Sequence, residues 1–174
     1  MRCLKGNNMN SKVLIIGLII FSLVAIIGSY FFLVSGQKPQ PQIATYSVSD
    51  KERPKVEAKT TFFDLGTMKV SEDRSANFKI KNVGQKSLQL SNINSSCNCT
   101  FGQVVIDGKE SEVFGMHNVS DFAGEVLPGK EVIIKVTYRP SIMPVYGVVE
   151  REVYVNTNDP ENPKLVFKVK ATVN

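Results

Sequence analysis

Twenty-two consecutive residues, Val13 to Val34 (VLIIGLIIFSLVAIIGSYFFLV), carry no charge, and no other feature limits the chain more. At about 1.5 Å per residue, a helix of that length spans roughly 33 Å, enough for the ~30 Å hydrocarbon core of a bilayer. Lipid demands a helix here, because a helix satisfies every backbone N–H and C=O internally. A cleavable signal peptide has a shorter apolar core, about 7–15 residues, so the length favours an uncleaved anchor. Val34-Ser35-Gly36 still offers small residues where a signal peptidase cuts, and cleavage stays open. No Cys follows the run, which argues against a lipoprotein.

Flanking charge gives the direction. Arg2, Lys5 and Lys12 precede the run, and only Lys38 lies close behind it. Positive residues stay on the cytoplasmic side, so residues 1–12 are expected in the cytoplasm, 13–34 in the membrane as a signal-anchor, and the rest in the periplasm or outside the cell. The chain is then a single-pass membrane protein. Cys3 faces the cytoplasm, whereas Cys97 and Cys99 face a compartment that permits disulfides. Removing the three N-terminal positive charges from the net +5 leaves +2, which is not the electrostatic footprint of a nucleic-acid binder.

Residues 35–59 contain three Pro among many polar residues and read as an extended tether. From 60 to 174 the pattern becomes that of short strands. Ala76, Phe78 and Ile80 alternate with polar neighbours, as do Val132, Ile134, Val136 and Tyr138, and the final run from Leu165 to Val173. A period of two places one face in a core and the other in water. Leu127-Pro128-Gly129-Lys130, Arg139-Pro140 and Asn158-Asp159-Pro160 supply turns between the strands. The fold class is therefore all-β: an immunoglobulin-like β-sandwich of about seven strands, preceded by one transmembrane helix.

Few residues in this domain suggest chemistry. Cys97-Asn98-Cys99 is the most unusual spacing. In extended chain the two Cα atoms would stand about 6.6 Å apart, near the upper limit for a disulfide, and a turn would bring them closer. Three uses of the pair stay open. The thiols can form a disulfide, exchange with other thiols, or hold a soft metal such as Cu(I), for which sulfur is the preferred ligand. Met116 and His117 would complete such a copper site with a thioether and the one imidazole of the chain. No other cofactor is suggested. The segment from Gly124 to Lys130 nearly matches a phosphate loop, but Glu131 stands where Ser or Thr should hold magnesium, and Pro128 removes an N–H from the cradle. Glu150 with Glu152, and Glu110 with Glu112, share strand faces among Lys, Arg and Ser, the setting of solvent-facing charge rather than of paired acid and base. No catalytic residue is identified.

Phe63-Asp64-Leu65-Gly66, the stretch from Phe78 to Gly84, Ser96-Cys97-Asn98-Cys99-Thr100, Pro128-Gly129 and Thr157-Asn158-Asp159-Pro160 occur in an order that resembles a bacterial family, the domain of unknown function 1573. The resemblance covers Thr61 to Val173, and the segment ending in Met116-His117 is similar to a variant with a longer connection after the C-x-C pair. This chain has Asn98 where Gly is common in the family. The resemblance implies an exported sandwich of the hydin and major-sperm-protein class. The expected function is a membrane-anchored, extracytoplasmic binding or structural module without catalysis, partnered by the membrane and an unidentified protein. The alternative is a copper-binding or thiol-redox module built on Cys97, Cys99, Met116 and His117.

Overall fold

The computed structural model describes residues 11–35, 42–121 and 123–174. The readings that rest on Arg2, Cys3, Lys5, Gly36 and Lys38, and most of the segment 1–12, lie outside those residues. The described residues divide into two units, one holding a helix and the other the strands. The helix, α1 (Ser11–Ser35), has 25 residues. Its side chains from Lys12 to Tyr30 are exposed on all sides, and this stretch is long and apolar enough to cross a membrane. Ser22 and Ser29 turn inward on the backbone. The Ser22 hydroxyl donates to the Ile19 carbonyl at 2.8 Å and the Ser29 hydroxyl to that of Ile26 at 2.9 Å, so both are paired within the helix.

The second unit consists of β1 (Val56–Ala58), β2 (Phe62–Met68), β3 (Arg74–Asn82), β4 (Leu88–Ser95), β5 (Thr100–Ile106), β6 (Lys109–Glu110), β7 (Gly124–Val126), β8 (Glu131–Tyr138), β9 (Gly147–Thr157) and β10 (Lys164–Val173). They form two five-stranded sheets, ordered β1-β3-β8-β5-β6 and β2-β10-β9-β4-β7. Pairing is antiparallel except between β2 and β10. Lettering β1, β3, β4, β5, β8, β9 and β10 from A to G gives the ABED and CFG sheets of an immunoglobulin-like sandwich. The fold class read from the sequence is the one found. The strands number ten because β2 carries the first strand across to the second sheet, while β6 and β7 are too short to show a period.

Alternation explains the core. Ala76, Phe78 and Ile80 of β3, Val132, Ile134 and Val136 of β8, and Phe167, Val169 and Ala171 of β10 are all buried between the sheets. The Phe78 and Phe167 rings meet across them with centroids 5.1 Å apart. At the turn into β8, the N–H of Lys130 donates to the Leu127 carbonyl at 3.0 Å, and Gly129 takes a φ of +78°. Proline at the second position and a positive-φ glycine at the third are what that turn requires.

The sandwich begins earlier than Thr60. Val56 is buried, β1 pairs with β3, and the segment before it is tied down as well: the N–H of Val83 donates to Lys55 at 2.8 Å and that of Gln85 to Arg53 at 3.0 Å. Three residues with one buried apolar side chain give no periodic signal, which is why this strand read as tether.

Candidate functional site

β4 ends at Ser95 in one sheet and β5 starts at Thr100 in the other, so residues 96–99 are the crossing between them. Backbone geometry makes that crossing a closed turn. The Ser95 hydroxyl donates to the Cys97 carbonyl at 2.8 Å, and the Thr100 N–H donates to the same oxygen at 3.3 Å. The turn shortens the Cα separation of Cys97 and Cys99 to 5.3 Å, and their sulfurs are joined in a disulfide. Cys99 is fully buried in the core, while Cys97 is only partly covered.

Donors surround the Cys97 sulfur. The N–H of Cys99 points at it from 3.3 Å, and the Thr100 hydroxyl stands 3.3 Å away. Thr100 Oγ1 lies 3.9 Å from the Cys99 sulfur as well. Neighbouring strands fix the turn from both sides. The Ser96 N–H donates to the Glu152 carbonyl at 2.9 Å, the Glu152 N–H donates to Ser96 Oγ at 3.0 Å, and the Arg139 N–H donates to the Cys99 carbonyl at 2.8 Å.

Two more side chains belong to this end of the sandwich, and neither stood out in the sequence. Tyr138, opposite Thr100 across the β5–β8 pairing, is fully buried. Arg151 immediately precedes, in β9, the Glu152 that Ser96 holds, and its guanidinium carbon lies 5.7 Å from the centre of the Tyr138 ring. Among the described residues, Tyr138 Oη and Arg151 Nε are buried side-chain atoms without a hydrogen-bond partner. The signal that marks Arg151 is parity: it shares a strand face with the buried Val149, Val153 and Val155, so it points inward.

Met116 and His117 lie elsewhere in character. Phe114 exchanges two backbone hydrogen bonds with Gly102, at 2.8 and 2.9 Å, which lays this segment along the start of β5. Met116 is nonetheless about half exposed and His117 is exposed. Among the described residues no three His, Cys, Asp or Glu side chains gather closely enough to hold a metal ion. A thiolate is what Cu(I) prefers, and sulfurs bonded to each other offer none. In the oxidised form the four residues do not fit copper.

Glu150 and Glu152 sit on the solvent face of the second sheet, while Glu110 lies in β6 of the first and pairs with Lys135 at 2.8 Å. Lys168 reaches Glu150 at 3.3 Å and Glu152 at 3.2 Å. The Tyr154 hydroxyl and the Lys168 ammonium hold the Glu152 carboxyl below its ordinary range. Asp159, read as a turn residue, is instead completely buried. Its carboxylate accepts from the N–H groups of Val56 and Glu161, each at 3.0 Å, and from Asn162 Nδ2 at 3.1 Å, with Arg53 Nη1 at 3.4 Å. Burial alone would push this carboxyl upward, but those donors together hold it below the usual range.

Against known proteins, residues 56–173 match the model of a family described as protein of unknown function (DUF1573). No curated protein matches. Among solved structures, a protein of unknown function from Porphyromonas gingivalis W83 aligns with a TM-score of 0.54 at 21% identity, over 72% of this chain and 50% of that one. The chain thus spans half the length of that protein. The ASH/PapD-like domain 7 of human CEP192 aligns with a TM-score of 0.46 at 14% identity, over 78% of this chain and 98% of that domain. Identities this low speak to fold alone.

Proposed function

We propose, for a chain that belongs to the DUF1573 family of proteins of unknown function, the role of a membrane-anchored extracytoplasmic module that works by binding rather than catalysis. The observation that carries the reading is α1, long and apolar from Lys12 to Tyr30 and with the Ser22 and Ser29 hydroxyls paired within the helix. Residues 13–34 are the anchor, Arg2, Lys5 and Lys12 stay cytoplasmic, and the chain from 35 to about 55 tethers the sandwich in the periplasm or outside the cell. The contact surface for a protein partner is the free edge of β2. At seven residues β2 is the longest of the four edge strands, against two or three for β1, β6 and β7. An extended segment of the partner would add to it as a further strand.

Protease treatment of spheroplasts tests the topology. Loss of the sandwich with protection of an N-terminal tag is the expected result. Recovery of the intact chain in the soluble fraction, or cleavage of the tag before lysis, would contradict it.

A second reading rests on the Cys97–Cys99 bond, which suits thiol–disulfide exchange. The copper reading of Cys97, Cys99, Met116 and His117 requires the same pair in its reduced form. Titrating reduced protein with Cu(I) separates the two: exchange without metal uptake leaves thiol chemistry, and stoichiometric uptake that needs Met116 and His117 restores copper.

A further inference from the structure

The Cys97–Cys99 bond closes a loop of three residues, too short to remove much entropy from the unfolded chain, so stabilisation is a poor account of it. Its two sulfurs are also unequal. Cys97 is reached from solvent and has donors on it, whereas Cys99 lies in the core. Two buried donors at the same end, Tyr138 Oη and Arg151 Nε, have no acceptor while the bond is intact. Natural structures leave few such groups unpaired, and a redox role is one of the reasons they do.

We propose that Cys97–Cys99 is a directional thiol–disulfide exchange site for a protein dithiol outside the membrane, with Cys97 the sulfur attacked and Cys99 the sulfur released. This rests on the exchange reading above and adds its direction, its substrate class and its supporting residues. A partner thiolate attacks Cys97 Sγ from the exposed side, forming a mixed disulfide and breaking the bond to Cys99. The electron pair of that bond passes to Cys99 Sγ, which becomes a buried thiolate and then takes a proton from solvent. The partner's second thiol, as thiolate, attacks its own sulfur in the mixed disulfide and releases Cys97. The partner leaves with one disulfide, and the C-x-C pair holds the two electrons as two thiols. Exchange in the reverse direction with another protein disulfide restores the bond.

Donors matter at each stage. The Cys99 N–H and the Thr100 hydroxyl already point at Cys97 and favour its departure as an anion at the second step. Tyr138 is paired with Thr100, the neighbour of Cys99, across β5 and β8, and its hydroxyl and Arg151 Nε are assigned as donors to the Cys99 sulfur once the bond opens, stronger while that sulfur is a thiolate and weaker once it is a thiol. They are positioning residues, since they act through the sulfurs.

The experiment uses the full chain in detergent micelles with glutathione as the probe, and peptide mapping by mass spectrometry to separate Cys97 and Cys99 from Cys3. In glutathione buffers the pair is expected to pass from bonded to reduced while circular dichroism stays that of folded protein. Reduced C99A is expected to capture oxidised glutathione at Cys97 about ten-fold faster than C97A captures it at Cys99. Y138F and R151M are each expected to require at least about three-fold more reduced glutathione to reach the midpoint, a shift that loss of packing alone does not produce. If either single-cysteine variant fails to fold, a brief alkylation pulse on wild-type protein shows which sulfur carries the mixed disulfide.

A pair that resists excess dithiothreitol in the folded protein overturns the exchange reading, and the inference with it. Exchange that proceeds equally or preferentially at Cys99 overturns the direction alone. Unchanged midpoints in Y138F and R151M overturn the role given to those two residues.

Discussion

Where the chain joins the sandwich, the buried polar groups have their partners, whereas on the strands flanking the crossing from β4 to β5 two buried side-chain atoms have none. Asp159 is surrounded by three close donors and Arg53. Asn82 beside it gives both amide hydrogens away, to the carbonyls of Lys86 and Val126 at 2.8 Å each, and accepts from Gly84 at 3.0 Å. On the strands that flank the crossing, Tyr138 Oη and Arg151 Nε stand unpaired, and the crossing itself holds a disulfide of minimal loop length. The first arrangement does mechanical work, because it fastens the incoming chain to the turn between β9 and β10. The second leaves two buried donors without acceptors, which the proposed reduction of Cys97–Cys99 would engage. The fastening contacts and the proposed exchange site thus fall at different ends of one domain.

Substitutions can break or sharpen that contrast. The largest effect belongs to neither end. Phe167→Ala removes one of the two rings that meet in the core and is expected to cost about 3–5 kcal/mol in urea unfolding, in one transition shared by both ends. Two separate transitions would mean that the ends fold independently and that their comparison within one domain is unsound.

Asp159→Asn comes next, at about 2–3 kcal/mol near neutral pH, since hydrogen bonds to a charged acceptor are lost and Arg53 loses its buried partner. The pH dependence has a definite sign. A carboxyl held low in the folded state stabilises fully above its unfolded pKa of about 3.9, and that contribution disappears as the pH falls through the folded value. Wild-type protein should therefore lose stability in acid below about pH 4 more steeply than the Asn variant does. Parallel curves would remove Asp159 from the account.

Replacing both Cys97 and Cys99 by Ala should cost less, roughly 1–2 kcal/mol, from the logarithmic dependence on loop length. Calorimetry showing a loss of more than about 4 kcal/mol would make the bond a structural staple and erase the contrast. Smallest of all is Lys168→Ala on the outer face. Its ion pairs with Glu150 and Glu152 are exposed to water and salt, and no measurable change in the unfolding midpoint is expected.

How much of this could be read in advance follows from pattern length. β3, β8 and β10 repeat apolar and polar residues over seven or more positions, so period two was plain in them, and with it the two-sheet fold. β1 has three residues and one buried side chain, so no period could reveal it. Asp159 looked like a turn residue because Asn-Asp-Pro is turn chemistry. Its burial depends on Val56 and Arg53, more than a hundred positions away in sequence, and only the folded chain brings them together. Cys97 and Cys99 were visible from their rarity. The orphaned atoms of Tyr138 and Arg151 were not, since an unmade hydrogen bond has no sequence signature, although the parity Arg151 shares with Val149, Val153 and Val155 could have marked it as inward-facing.

The most direct test of the whole account labels spheroplasts with a membrane-impermeant maleimide, before and after treatment with a charged, impermeant phosphine, and maps the modified cysteines. Anchoring by α1 and an oxidised pair outside the membrane predict no label on Cys97 or Cys99 at first, label on Cys97 but not on the buried Cys99 after reduction, and none on Cys3 until the membrane is broken. Label on Cys97 without reductant, or only after lysis, would contradict it.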